Sequence, residues 1–203
     1  MPANLVRIAI SVLLLFGAQQ LASAGLIHAK AWLAPKLIER AWQQSLAAGN
    51  AGVKPWPWAD TWPLARLQVP ALGVDQFVLA GDSGNALAFS PGHAGASAPL
   101  GSAGRAVVGG HRDTHFAFLE DLSPGDRLTL ELPGGRLHRY RVDAFSVVDT
   151  ARQQLANTAE VDELLLVTCY PFDAIDSSGS LRYVVVARPD PGNDLRPIFP
   201  SPP

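Results

Sequence analysis

The chain has 203 residues, enough for one ordinary globular domain with extensions. Only 17% of them are charged and the formal net charge is -2, so there is no basic footprint for nucleic acid and none is expected as a partner. A single cysteine, Cys169, excludes an intrachain disulfide framework and any multi-cysteine zinc site.

The N-terminus bears on location. Residues 8–18 ("IAISVLLLFGA") are apolar, carry no charge and follow Arg7. They match a signal-peptide core, and "LASAG" (21–25) ends in an Ala-x-Ala pattern that a signal peptidase cleaves. Extended over 5–27, the same stretch becomes a spanning helix of roughly 34 Å, against a hydrocarbon core of about 30 Å. Either reading carries the remainder across a membrane, and the uncleaved anchor is the one expected here. Residues 29–47 read as an amphipathic helix, and 49–63 as a linker rich in Gly and Pro. All five tryptophans (Trp32, Trp42, Trp56, Trp58, Trp62) fall in this region. They suit either a collar at the bilayer-water interface or packing of the linker on the domain that follows.

Beyond the linker the texture becomes strand-like. "ARLQVP" and "VDQFVLAG" alternate and are parted by Ala-Leu-Gly, a hairpin spacing. "NALAFSPGH" makes one helical turn before Pro91 and Gly92 end it. "GRAVVGGH" is a strand ending at His111, and "HFAFLEDL" a short helix. "DRLTLEL" and "LHRYRVDAFSVVD" are strands around a "PGG" turn, and "DELLLVTCY" and "LRYVVVARP" complete the set. Seven to eight short strands with little helix between them predict an all-β domain, a small closed barrel. The expected divisions are an anchor or signal peptide (1–28), an amphipathic helix with a Trp/Pro-rich linker (29–63), the barrel (64–189) and a proline-dense tail (190–203).

Three residues of this domain carry candidate chemistry. Cys169 ends one strand, and a thiol becomes an effective nucleophile beside an imidazole or a cation. His111 follows two glycines at another strand end. Arg182 begins the final strand, thirteen residues after the cysteine. If those last two strands are neighbours, the guanidinium lies near the thiol and suits negative charge developing on a carbonyl oxygen. Each residue alone has an ordinary reading, as packing, a satisfied histidine or a solvated arginine. Jointly they form a constellation that chance explains poorly. His111 and His115 also invite a zinc reading, but Arg112 stands where the zincin pattern requires Glu.

"LLLVTCYPF" (164–172) resembles the Thr-Leu-x-Thr-Cys signature of the sortase family of cysteine transpeptidases, with Leu165 in place of the first Thr. "GGHRDTHFAFLEDLSPGD" (109–126) is similar to that family's catalytic-histidine segment, Arg182 to its arginine on the strand after the cysteine, and "LAFSPGH" (87–93) to the segment before the histidine strand. The resemblance spans about 64–189. With "PWPWADTWP" and the small size of the chain, it is nearest to the sortases of Gram-negative bacteria.

The resemblance implies a sortase-like barrel held at the bacterial inner membrane by its N-terminal helix, with the catalytic domain in the periplasm. It further implies a target protein with a C-terminal sorting signal resembling Leu-Pro-x-Thr-Gly, a Cys169 thioester, and transfer of the acyl group to an amine. His111 would act as acid and base and Arg182 would hold the oxyanion or the peptide carbonyls; Thr168 would contact the bound peptide and Asp113 would orient an imidazole. No cofactor is expected. Some members bind calcium near the substrate loop, but Asp173 and Asp176 are two carboxylates only, and no required metal is expected. An L,D-transpeptidase is the enzymatic alternative, disfavoured because Tyr170 and Pro171 follow the cysteine where that family has an arginine two residues on. A non-catalytic, membrane-tethered binding barrel is the alternative from another class.

Overall fold

Strands β1 (Pro63–Val69) and β2 (Val74–Ala80) form the expected hairpin, turned by a 3-10 segment, Pro70–Leu72, and by Gly73 at φ +64°. The computed structural model describes residues 3–152, 161–174 and 179–190. The tail beyond Asp190, and Asp176, lie outside the described residues.

Six further strands complete the domain: β3 (Gly92–His93), β4 (Arg105–Gly109), β5 (Arg127–Leu132), β6 (Arg136–Asp149), β7 (Glu163–Cys169) and β8 (Leu181–Pro189). They close into a barrel in the order β1-β2-β3-β4-β7-β8-β6-β5. The barrel is mixed, because β2 with β3 and β4 with β7 pair in parallel. A parallel pair needs a crossover, and the β5–β6 hairpin, with a 3-10 turn at Ala117–Asp121, lies in sequence between β4 and β7. The short helix expected over "HFAFLEDL" is that 3-10 turn. The turn expected over "NALAFSPGH" resolves into helix α2 (Gly84–Leu87) and the two-residue β3.

Burial explains why β7 shows no alternation in sequence. Leu164 and Leu166 point inward and join Val185, Ala187, Leu128, Leu130 and Phe116 in the main core. Leu165 and Val167 occupy the outer face, yet they too are buried, with Val184, Val107, Val148 and Val186 around them. A strand covered on both faces reads as a continuous apolar run.

The N-terminal expectations need revision. The helices expected over 5–27 and 29–47 are one continuous helix, α1 (Ala3–Ala48), with Pro35 inside it. Gly25 and Pro35 stand apart from one another, and an isolated Gly or Pro weakens a helix without having to end it. Among the described residues no helix is long and apolar enough to cross a membrane. The chain divides into two units, Met1–Leu37 and Ile38–Pro203. Within the second, Ile38 packs with Leu79 and Ala86, and Trp42 lies fully buried with its ring 5.9 Å from Phe77. Trp56 meets Phe89 edge-on at 5.5 Å, whereas Trp32 and Trp58 are exposed. Tryptophan here therefore serves packing at some positions and lies open at others.

Candidate active site

Cys169 and Arg182 are direct cross-strand partners in the antiparallel β7–β8 pair. Residues so paired share a face, with Cβ atoms about 4.5–5.5 Å apart. By alternation with Leu165 and Val167, that face is the outer one. The same row continues to Val148, which pairs with Arg182 across β6–β8. Cys169 is half-buried and is a free thiol.

His111 arrives from the other side. In the parallel β4–β7 pair Gly109 stands opposite Val167, and the Gly110 N–H donates to the Val167 carbonyl at 3.1 Å. Both strands run the same way, so their C-terminal ends emerge together. Two residues past Gly109 comes His111; two past Val167 comes Cys169. The topology thus brings the three sequence-derived candidates to one end of three adjacent strands, β4, β7 and β8.

Local sequence shapes the histidine turn. A side chain on Gly110 would place its Cβ 2.7 Å from the Phe116 ring, which is fully buried, so only glycine lets the backbone pass there. Phe116 in turn donates its N–H to the His111 carbonyl at 2.9 Å, and Gln76 on β2 donates to the His115 carbonyl at 3.1 Å. His115 is half-buried, and burial, followed by the charge of His111, holds its imidazole below the ordinary value.

Thr168, expected to meet a bound peptide, is 2% exposed and donates its hydroxyl to the Gly110 carbonyl at 2.8 Å. It points inward because it alternates with Cys169. Its contact ties the residue before the cysteine to the residue before the histidine. Arg182 donates Nη1 to the carbonyls of Gly179 (2.6 Å) and Leu181 (2.9 Å), which steadies the guanidinium at the start of its own strand. Asp113 accepts from Arg112 Nε at 3.1 Å, so the carboxylate expected to orient an imidazole is engaged by its neighbour.

Arg112 is the residue that sequence reasoning missed. It is 4% exposed and reaches the segment after the cysteine, donating Nη1 to the Pro171 carbonyl at 2.7 Å and Nη2 to the Ala174 carbonyl. Beneath that segment an aromatic stack runs from Tyr170 to Tyr183 (6.1 Å) and on to Phe145 (5.9 Å), with Phe172 edge-on to Tyr183 at 5.1 Å. Burial, with Tyr170 adding a smaller effect, raises the Tyr183 hydroxyl above its usual value. Among the described residues no three His, Cys, Asp or Glu side chains cluster as a metal site requires.

Residues 67–190 match the family model described as Sortase domain. The chain belongs to the sortase family. Sortase D of Bacillus subtilis is 29% identical over 123 residues, 60% of this chain and 61% of that protein, so the match spans less than two thirds of the relative. A sortase A lid mutant from Corynebacterium diphtheriae has a similar structure, at 26% identity and TM-score 0.56, covering 80% of this chain and 94% of that one. A sortase D5 transpeptidase from Clostridium perfringens shares the fold at TM-score 0.62 and 18% identity, covering 78% and 98%. The sortase family is one of cysteine transpeptidases, and the closed eight-stranded barrel agrees with that membership.

Proposed function

We propose that this chain is a membrane-associated cysteine transpeptidase acting on a protein with a C-terminal sorting signal resembling Leu-Pro-x-Thr-Gly. The observation that carries the reading is the pairing of Cys169 with Arg182, with His111 emerging from the parallel neighbour at the equivalent position. In the first half-reaction the Cys169 sulfur bonds to the carbonyl carbon of the scissile amide. Negative charge gathers on the carbonyl oxygen, where the planar Arg182 guanidinium offers donors. The C–N bond breaks, His111 gives its proton to the leaving amine, and a thioester remains. In the second, an acceptor amine attacks the thioester, passes a proton to His111, and the C–S bond breaks to restore the Cys169 thiolate. Water in place of the amine gives hydrolysis.

Association with a membrane is part of the proposal. Its support is the run of exposed apolar residues on consecutive positions of α1, from Val12 at 59% to Leu15 at 72%, which leaves no polar face to offer to water. Placement at the inner membrane of a Gram-negative cell, with the barrel in the periplasm, rests on this run and on the "PWPWADTWP" segment.

The test uses the full-length protein in detergent, a panel of quenched Leu-Pro-x-Thr-Gly-like peptides, and an added amine, alongside Cys169→Ala. Cleavage that depends on Cys169, with a thioester trapped on it by mass spectrometry, is expected. Cleavage of no peptide in the panel, with Cys169→Ala behaving as wild type in cells, would overturn the reading.

A further inference from the structure

We propose that Arg112 is a positioning residue that fixes the separation of Cys169 and His111 before substrate arrives. The inference rests on the reading of these two residues as a working pair.

The argument begins with burial. Arg112 adjoins an exposed histidine and an exposed aspartate, yet its own side chain is 3% exposed. A guanidinium removed from water must be compensated by hydrogen bonds. Two of its bonds go to the carbonyls of Pro171 and Ala174, 59 and 62 residues further along the chain. Carbonyls only accept, and Arg alone offers a planar fork able to reach two of them while Nε serves a third acceptor. The third is Asp113, which lies largely in solvent, whereas the two carbonyls hold the group on its inner side.

Position gives these bonds their meaning. Gly110 precedes His111, Thr168 precedes Cys169, and the Thr168 hydroxyl joins the two at 2.8 Å. Arg112 follows His111, Pro171 follows Cys169 by two residues, and Arg112 Nη1 joins those at 2.7 Å. Imidazole and thiol are therefore bracketed: one cross-link lies just before them in both segments and one just after. Thr168 guards the strand side, inside the barrel. Arg112 guards the loop side, where β7 has ended and no ladder bond remains to do so. Without it, the segment after Cys169 keeps its bond from the Tyr170 N–H to the Leu181 carbonyl on β8 but loses these two ties to the histidine turn. A displacement of about 1 Å between reacting groups can cost on the order of a hundredfold in rate.

The test exploits the single cysteine of the chain, which makes alkylation by iodoacetamide report on Cys169 alone. Rates are measured on the full-length protein for wild type, Arg112→Gln, His111→Ala and the double variant, with thermal unfolding recorded for each. Both single substitutions are expected to slow alkylation. In the His111→Ala background, Arg112→Gln is expected to add nothing, because its effect passes through the imidazole. Arg112→Lys should recover part of the rate, since an ammonium keeps the charge and donors on one nitrogen but lacks the planar fork that reaches the two carbonyls from separate nitrogens. Where a peptide is cleaved, kcat should fall up to about a hundredfold with KM little changed.

Wild-type alkylation in Arg112→Gln, a deficit that persists undiminished without His111, or alkylation indifferent to His111→Ala would each overturn the proposal. If Arg112→Gln does not fold, the same cycle with Arg112→Lys decides. Alkylation requires no sorting peptide, so coupling without any peptide cleavage would leave Arg112 in its role while removing the transpeptidase reading. Peptide cleavage without coupling would do the reverse.

Discussion

The hydroxyl of Thr168 donates to the carbonyl of Gly110 at 2.8 Å, joining the residues that immediately precede Cys169 and His111. Fifty-eight residues of chain separate them, and β4 and β7 meet there in parallel. Thr168 is thus held by its backbone in the ladder and by its side chain across it. Its consequence is mechanical: the turn carrying His111 is anchored to the strand carrying Cys169.

Replacing Thr168 with Val keeps the shape and leaves the Gly110 carbonyl without this donor. A buried acceptor left unpaired costs about 1–3 kcal/mol. Thr168→Val should lower stability by that amount in urea unfolding, while Thr168→Ser should retain most of it. Equal stability of Val and Thr variants would show that the bond does not contribute.

Two adjacent glycines should respond differently. A Cβ on Gly110 falls 2.7 Å from the Phe116 ring, whereas the nearest atom to one on Gly109 is the Gly92 carbonyl oxygen at 4.0 Å. Gly110→Ala should cost about 1–3 kcal/mol through overpacking and disturb the histidine turn. Gly109→Ala should be far milder. Thermal melts of both variants give the comparison, and the reverse order would refute it.

His115 sets a pH dependence. Its folded value lies below the ordinary imidazole value of about 6.5. The unfolded chain therefore binds this proton more readily, and stability rises with pH. The contribution is complete above about 6.5 and is lost as pH falls through the depressed folded value. His115→Asn should flatten the stability profile over that window in urea titrations at several pH values. An unchanged slope would assign the dependence to other groups.

The C-terminal part of α1 belongs with the barrel. Trp42 is fully buried against Phe77, and Ile38 packs with Leu79 and Ala86. Trp42→Ala should destabilise the domain by about 3–5 kcal/mol. A chain trimmed to begin at Val53 should melt well below one beginning at Ile38, and coincident melts would disprove the dependence.

Much of the site was legible in sequence because it depends on local rules. An apolar run ending in Thr168-Cys169 and a second strand opening with Arg182 need only antiparallel pairing to bring thiol and guanidinium to one face. The hairpin turns at Gly73 and "PGG" were equally local. What escaped was non-local. Nothing in "GRAVVGG" announces a parallel partner, and the two-residue β3 is too short for any period to reveal. Thr168 looked free to meet a ligand because burial on both faces of β7 hid its direction. Arg112 was legible only as the residue that spoils a zinc pattern. Its partners are backbone carbonyls, which every residue possesses and no sequence marks.

The parallel meeting of β4 and β7 also governs how the molecule comes into being. Between the two strands the chain lays down the whole β5–β6 hairpin, so the contacts uniting histidine and cysteine close a loop of nearly sixty residues. Such closure surrenders chain entropy before any contact rewards it, and proteins dominated by distant pairings fold slowly. A nascent chain that has already released His111 still lacks the strand that carries Cys169. His111 and Cys169 therefore come together only when the seventh strand enters beside the fourth.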